Sequence, residues 1–259
     1  MANSFKQLLA TDRLIRIFSI PRIVHPVLFD LFGLAGGYDG FWLDQEHGGL
    51  TYEQIVLASV CARANNFDCF VRLAPANYSL VTQCLEAGAG GVMGARIESA
   101  AHAQEFTRWA KFAPRGLRGM NSSGRDANYT HKSQGQFAVD SNRDQLLAIQ
   151  IETLGALNEV DEIAAIEEVD LLFVGPSDLS QELGILGQWD NEKLWEAIGR
   201  VQAACKKHGK HWGTVTPTTA YADRAAETGC RMLSFGSDVF CLRKGIESVK
   251  QMFGKHFQL

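Results

Sequence analysis

Gly40-Phe41-Trp42-Leu43-Asp44 is an apolar run that ends on a carboxylate, and Gln45-Glu46-His47-Gly48-Gly49 follows it directly. Two later runs have the same form. Leu146–Ile151 ends at Glu152, and Leu171–Val174 runs into Gly175-Pro176-Ser177-Asp178. A short apolar run with a polar group at its C-terminal end is the pattern of a strand in a parallel barrel, where all C-terminal strand ends open onto one face. The three segments are therefore expected to converge.

Working outward, candidate strands fall at Leu14–Phe18, Gly40–Asp44, Asp68–Arg72, Gly91–Ala95, Leu146–Ile151, Asp170–Val174, His211–Val215 and Arg231–Phe235. Eight strands alternating with helical patterns predict an α/β fold, a single (β/α)8 TIM-type barrel with a parallel sheet. Thr51-Tyr52-Glu53-Gln54 is a capping-box pattern and starts a helix just after the histidine. Asp190 or Asn191 is the expected cap of a second helix, with Leu194, Ile198, Val201 and Cys205 on its buried face and Gly209 at its end. Ala225–Thr228 reads as a helix stopped by Gly229. No repeat, linker or low-complexity segment breaks the chain, so one domain over residues 1–259 is expected. The exception is Pro114–Asp144, polar and weakly periodic, which carries Arg115, Arg118, Arg125 and His131. A long loop of this kind is expected to reach the pocket or that of a neighbouring subunit.

Composition narrows the function classes. With 259 residues, 46% hydrophobic residues and a net charge of −4, the chain can bury a large core and shows no basic footprint for nucleic acid. No apolar run approaches a membrane span, and the N-terminal Met1-Ala2-Asn3-Ser4 lacks the apolar stretch of a secretory signal. The six cysteines show no C-x-x-C spacing, which argues against a disulfide framework or zinc ribbon and makes a cytoplasmic location the expectation.

The chemistry-bearing residues are those at the strand ends. Glu152 and Asp178 supply the oxygen ligands that a hard divalent cation prefers, and such a cation commonly takes only one or two protein carboxylates. Both also fit helix N-terminal carboxylates favoured by the dipole. Gly175 and Pro176 fix a tight turn that presents Asp178 and lets a ligand approach the backbone. His47 is the candidate base, with Asp44 placed to hold its ring, although a loop histidine can equally be structural. Arg72 ends an apolar strand and needs a partner, either Asp44 or Glu46 of the protein or an anionic substrate. No dinucleotide or phosphate-loop motif occurs, and no lysine stands at a strand end for Schiff-base chemistry.

With these residues in view, the chain resembles the HpcH/HpaI family of metal-dependent class II aldolases, which cleave 4-hydroxy-2-oxo acids to pyruvate and an aldehyde. Asp44-Gln45-Glu46-His47-Gly48 is similar to the family's D-x-E-H-[GA], and Phe70-Val71-Arg72 to its arginine-tipped strand. Gly116-Leu117-Arg118-Gly119, Gln150-Ile151-Glu152-Thr153 and Gly175-Pro176-Ser177-Asp178-Leu179-Ser180 resemble three further motifs, all in order. The resemblance implies Glu152 and Asp178 as ligands of Mg²⁺, Mn²⁺ or Co²⁺, and His47 with Asp44 as the acid/base. It also implies Arg72 as stabiliser of the enolate, and Arg72, Gly175, Pro176 and Ser177 as the substrate-binding set. A homo-oligomer, a hexamer of swapped dimers, is implied as well. The chain departs from the family at Val92-Met93-Gly94-Ala95-Arg96-Ile97 and after Gly119, at Met120–Asp126. Two other readings share the carboxylates: a CoA-ester lyase of the citrate-lyase β type, and a barrel that binds an oxo acid without turnover.

Overall fold

A computed structural model describes residues 4–257. Eight strands close into a parallel barrel in chain order: β1 (Ile15–Ile20), β2 (Gly40–Asp44), β3 (Asp68–Leu73), β4 (Gly91–Gly94), β5 (Leu146–Ile151), β6 (Leu171–Val174), β7 (His211–Val215) and β8 (Met232–Ser237). Every pairing is parallel, including that of β1 with β8, which closes the ring. The expected strands are all present. β1 and β8 each extend two residues further than their sequence patterns, because Ser19 and Gly236-Ser237 continue the ladder without an apolar signal.

Side-chain alternation sets what faces inward. Trp42, Phe70, Met93, Leu146, Ala148, Leu171, Phe173 and Met232 fill the barrel interior with Ile15 and Ile17. Phe41, Leu43, Val71, Leu147, Ile149, Ile151, Leu172 and Val174 point outward into the helix layer. Two steps of that alternation beyond Trp42, Phe70 and Ala148 lie Asp44, Arg72 and Gln150, so the interior register delivers these polar side chains to the C-terminal mouth. The opposite mouth is plugged by α1 (Phe5–Leu9), whose Phe5 ring meets Phe70 edge-on at 5.4 Å and whose first amide donates to Asp68. Gly40 makes room for this plug, since a Cβ there would lie 2.5 Å from the Phe5 ring.

The helices follow the local signals. α2 (Pro26–Ala35) begins with proline at N1, and α3 (Tyr52–Ala64) carries the full Thr51–Gln54 capping box. Then come α4 (Tyr78–Glu86), α5 (Ala100–Ala110), α6 (Gln134–Asp144), α7 (Leu154–Asn158), α8 (Val160–Ala165) and α9 (Pro176–Glu182). Asn191, not Asp190, caps α10 (Glu192–His208), which ends at left-handed Gly209 (φ 64°). α11 (Thr219–Glu227) and α12 (Asp238–Met252) complete the set. No helix of the described residues is long and apolar enough to cross a membrane.

The segment Pro114–Asp144 departs from the expectation of a bare loop serving its own pocket, while the other expected target, the pocket of a neighbouring subunit, stands as a proposal. The last third of the segment is α6, capped by Ser133 and anchored by Phe137 against Phe112, a helix whose single aromatic anchor leaves little periodicity to read. The arginines also lie at the wrong end of their own barrel to serve the mouth. Arg118 is buried over the Phe112 ring, paired with Asp126 at 2.5 Å and bonded to Gln145, the residue that precedes β5. Arg115 pairs with Glu168, which precedes β6, and the Arg125 amide donates to Glu86 at the end of α4. Within one chain the loop packs under the N-terminal strand ends, opposite Glu152.

Candidate active site at the C-terminal mouth

Register puts Asp44 of β2 directly beside Arg72 of β3. The Asp44 carboxylate accepts from Arg72 Nε at 3.1 Å and from its terminal nitrogen at 2.7 Å, a bidentate pair buried on both sides. The guanidinium also lies 4.7 Å over the Trp42 ring and has Glu46 Oε2 at 3.5 Å. Pairing, stacking and a second carboxylate hold the arginine plane fixed while it faces the barrel axis.

His47 lies on the rim with its imidazole largely exposed. Here the geometry differs from the expectation that Asp44 holds the ring. Asp44 Oδ1 accepts from the His47 backbone amide at 3.2 Å, an Asx-type contact that i, i+3 spacing in a turn favours, and Arg72 occupies both carboxylate oxygens. The carboxylate beside the ring is Glu46, with Oε2 3.8 Å from Nε2. Sequence reasoning offered Glu46 as a partner of Arg72, and the 3.5 Å contact agrees, but gave it no part beside His47.

Glu152 is fully buried just past β5. Its Oε1 accepts from the Arg96 amide at 2.7 Å, and its other oxygen accepts from Gln150 Nε2. Arg96 presents that amide from a left-handed backbone (φ 52°), uncommon for a residue with a side chain. Burial pushes the Glu152 carboxyl up from 4.5 to about 7. The Glu46 and Asp178 carboxylates add to the rise, while the Arg96 amide and the Arg72 charge oppose it. Glu152 makes no helix cap: Thr153 caps α7.

Asp178 stands in the first turn of α9, half-buried, after Pro176 at N1 and exposed Ser177. That position satisfies the helix-dipole reading, and the Asp178 charge is near enough to add to the rise at Glu152. Gly175 makes the approach possible. A Cβ there would sit 2.7 Å from both Gln150 Nε2 and Glu152 Oε2. Gln150 is a site residue that the sequence reading passed over, although it lies two positions before Glu152 and so on the same face. Its Oε1 is buried without a hydrogen-bond partner, as is Glu46 Oε2.

Two carboxylates near enough to influence each other, one raised by burial to about 7, and two orphaned buried oxygens fit a hard cation that is completed by water or substrate. Among the described residues no group of three or more His, Cys, Asp or Glu side chains is arranged to hold a metal ion.

The sequence matches the HpcH/HpaI aldolase/citrate lyase family over residues 29–244. It is 30% identical over 253 residues to a 5-keto-4-deoxy-D-glucarate aldolase of Klebsiella pneumoniae, covering 98% of this chain and 97% of the relative. The fold is similar to that of an HpcH/HpaI aldolase from Desulfitobacterium hafniense, with a TM-score of 0.88, 28% identity, and 96% and 97% of the two chains covered. It is also similar, at a TM-score of 0.57, 19% identity and 89% and 92% coverage, to a citrate lyase beta subunit from M. tuberculosis complexed with oxaloacetate and magnesium.

Proposed function

Because this chain belongs to the HpcH/HpaI aldolase/citrate lyase family, we propose that it is a divalent-metal-dependent carbon–carbon lyase, a single barrel domain that cleaves a 4-hydroxy-2-oxo acid to pyruvate and an aldehyde. The observation that carries this reading is the meeting of the fixed Arg72 guanidinium with buried Glu152 and half-buried Asp178 at one barrel mouth.

Glu152 and Asp178 would hold the cation, of the Mg²⁺, Mn²⁺ or Co²⁺ kind, and magnesium is the ion named for the M. tuberculosis neighbour. When bound, it would polarise the carboxylate and 2-oxo oxygens of the substrate. The chain's own residues do the rest. His47, beside Glu46, takes the proton of the 4-hydroxyl. The C3–C4 bond breaks, C4 leaves as an aldehyde carbonyl, and the electron pair passes through C3 to the 2-oxo oxygen. Arg72 faces that developing negative charge with an orientation already set by Asp44, so little reorganisation is needed in the transition state. A proton returned to C3 completes pyruvate. Gly175, Pro176 and Ser177 place the start of α9 where the substrate carboxylate can approach the backbone.

The assembly is proposed to be a homo-oligomer that exchanges α12. In a closed barrel α12 should cover the β8–β1 seam, yet Asp238 is its only buried residue. Leu242, Ile246 and Val249 are about half exposed, and so are Val27 and Leu31 of α2, which flanks the same seam. Two unpartnered apolar strips on neighbouring elements of one chain suit a reciprocal exchange with a second copy.

Pyruvate release from a panel of 4-hydroxy-2-oxo acids, with and without Mn²⁺, tests the reaction. Metal-dependent release is expected. No release from any member under either condition overturns the reading.

A further inference from the structure

At the C-terminal mouth a cavity of about 370 Å³ opens between β1, β2, β7 and β8, beside the candidate site rather than within it. Its walls carry five hydroxyls, from Ser19, Ser177, Thr216, Ser234 and Ser237, with Trp42 and Phe240 as its aromatic faces. Ser177 and Trp42 join it to the site: Ser177 precedes Asp178, and the Trp42 ring carries the Arg72 guanidinium. Among the described residues no Asp, Glu, Lys, Arg or His lines it. Arg22, Arg72 and Arg96 all stand at this end of the barrel, and none lines the cavity. Arg72 is committed to Asp44, and Arg22 donates to the Gly48 carbonyl.

The hydroxyls are placed for mixed donation and acceptance. Ser234 Oγ accepts from Trp42 Nε1 at 2.9 Å, which leaves its proton to donate. Thr216 Oγ1 donates to the Ser234 carbonyl at 2.8 Å, which leaves its lone pairs to accept. Ser237 Oγ accepts from the Phe240 amide at 3.3 Å. A carboxylate here would find no counter-cation among the lining side chains. An aliphatic tail would strip water from five hydroxyls and return no hydrogen bonds. A neutral chain that alternates hydroxyl and C–H groups meets both wall chemistries.

We propose that this cavity receives the distal half of the substrate, and that this half is an uncharged hydroxyaldehyde rather than a semialdehyde bearing a second carboxylate. This inference rests on the aldolase reading. It separates this chain from relatives named for glucarate, whose keto-deoxy derivative is a diacid.

The test uses the full-length protein with Mn²⁺ and has two arms. Deuterium uptake into the pyruvate methyl group, followed by NMR without any aldehyde, reports the aldolase reading alone. Condensation of pyruvate with glyceraldehyde, lactaldehyde, propanal or succinic semialdehyde reports this inference. The hydroxylated neutral aldehydes are expected to exceed both others by about tenfold or more in kcat/KM. Ser19→Ala and Thr216→Val should each shrink the lactaldehyde-to-propanal ratio, and Thr216→Lys should raise use of succinic semialdehyde. Methyl exchange together with succinic semialdehyde as the best acceptor, or a ratio unmoved in both hydroxyl-deleting variants, overturns the inference. Absence of methyl exchange overturns the aldolase reading and this inference with it.

Discussion

Asp44 and Arg72 are register partners on adjacent strands, and their side chains close a two-point ion pair at 3.1 and 2.7 Å inside the barrel mouth. The pair is buried, so removing one member leaves the other desolvated and alone. Asp44→Ala is expected to cost about 3 kcal/mol of stability, read by urea denaturation. It should also lower kcat, because the arginine loses the orientation it needs. Arg72→Lys should fail to restore activity, since an ammonium cannot reproduce the bidentate contact. Activity of Arg72→Lys near that of the unaltered protein would rule out the orienting role.

His47 is proposed as the proton carrier because its imidazole sits on the rim, free of buried contacts, with Glu46 as the nearest carboxylate. Loss of general acid–base catalysis typically costs about 10²–10⁴-fold in rate. His47→Ala should lower kcat by that order while pyruvate and Mn²⁺ still bind, measured by calorimetry. Glu46→Gln should weaken kcat to a smaller extent. If Asp44, rather than Glu46, governs the histidine, the pH profile of Glu46→Gln will match that of the unaltered protein.

The barrel could be read in the sequence because each strand is a short apolar run with punctuation at both ends. β2, β5 and β7 keep the boundaries that their apolar runs predict. The metal candidates were legible for the same reason: a carboxylate just after a buried strand is conspicuous. What period-2 reasoning could not give was the direction of a turn. The sequence left Asp44 two partners, the His47 ring and Arg72, and strand register decides for Arg72, 28 residues away. The Gln150–Glu152 bond was within reach of alternation. The Arg96 amide was not, because its left-handed backbone leaves no sequence signature in a residue other than glycine. The arginines of the 114–144 segment miss the mouth of their own barrel because polarity and length say nothing about which end of a barrel a loop returns to.

The unpartnered face of α12 gives a prediction about assembly. If Leu242, Ile246 and Val249 pack on a second copy, placing a charge among them should break the oligomer before it harms the barrel. Ile246→Asp is expected to shift the protein to a smaller species in sedimentation while far-UV circular dichroism keeps its helical signal. An unchanged sedimentation coefficient in Ile246→Asp would show that the strip is not an interface.

The Glu152 carboxyl links metal, pH and stability. Its folded value is raised from 4.5 to about 7, first by burial and then by neighbouring carboxylates. Between these two values the unfolded chain has released this proton while the folded chain keeps it, so the unfolded state binds fewer protons. Stability of the metal-free protein should therefore fall as pH rises from 4.5 to 7, by on the order of 3 kcal/mol from this group, and level off above. Glu152→Gln, which has no proton to lose, should flatten that slope. A divalent cation competes with the same proton, so Mn²⁺ affinity should rise about tenfold per pH unit below 7 and then plateau. Asp178→Asn should weaken Mn²⁺ binding while the fold persists, because its half-buried side chain stands in the first turn of a helix. EDTA should abolish turnover and added Mn²⁺ or Mg²⁺ should restore it. Full activity in excess chelator, or a Mn²⁺ affinity equal in Asp178→Asn and the unaltered protein, would remove the two carboxylates from the role of metal ligands.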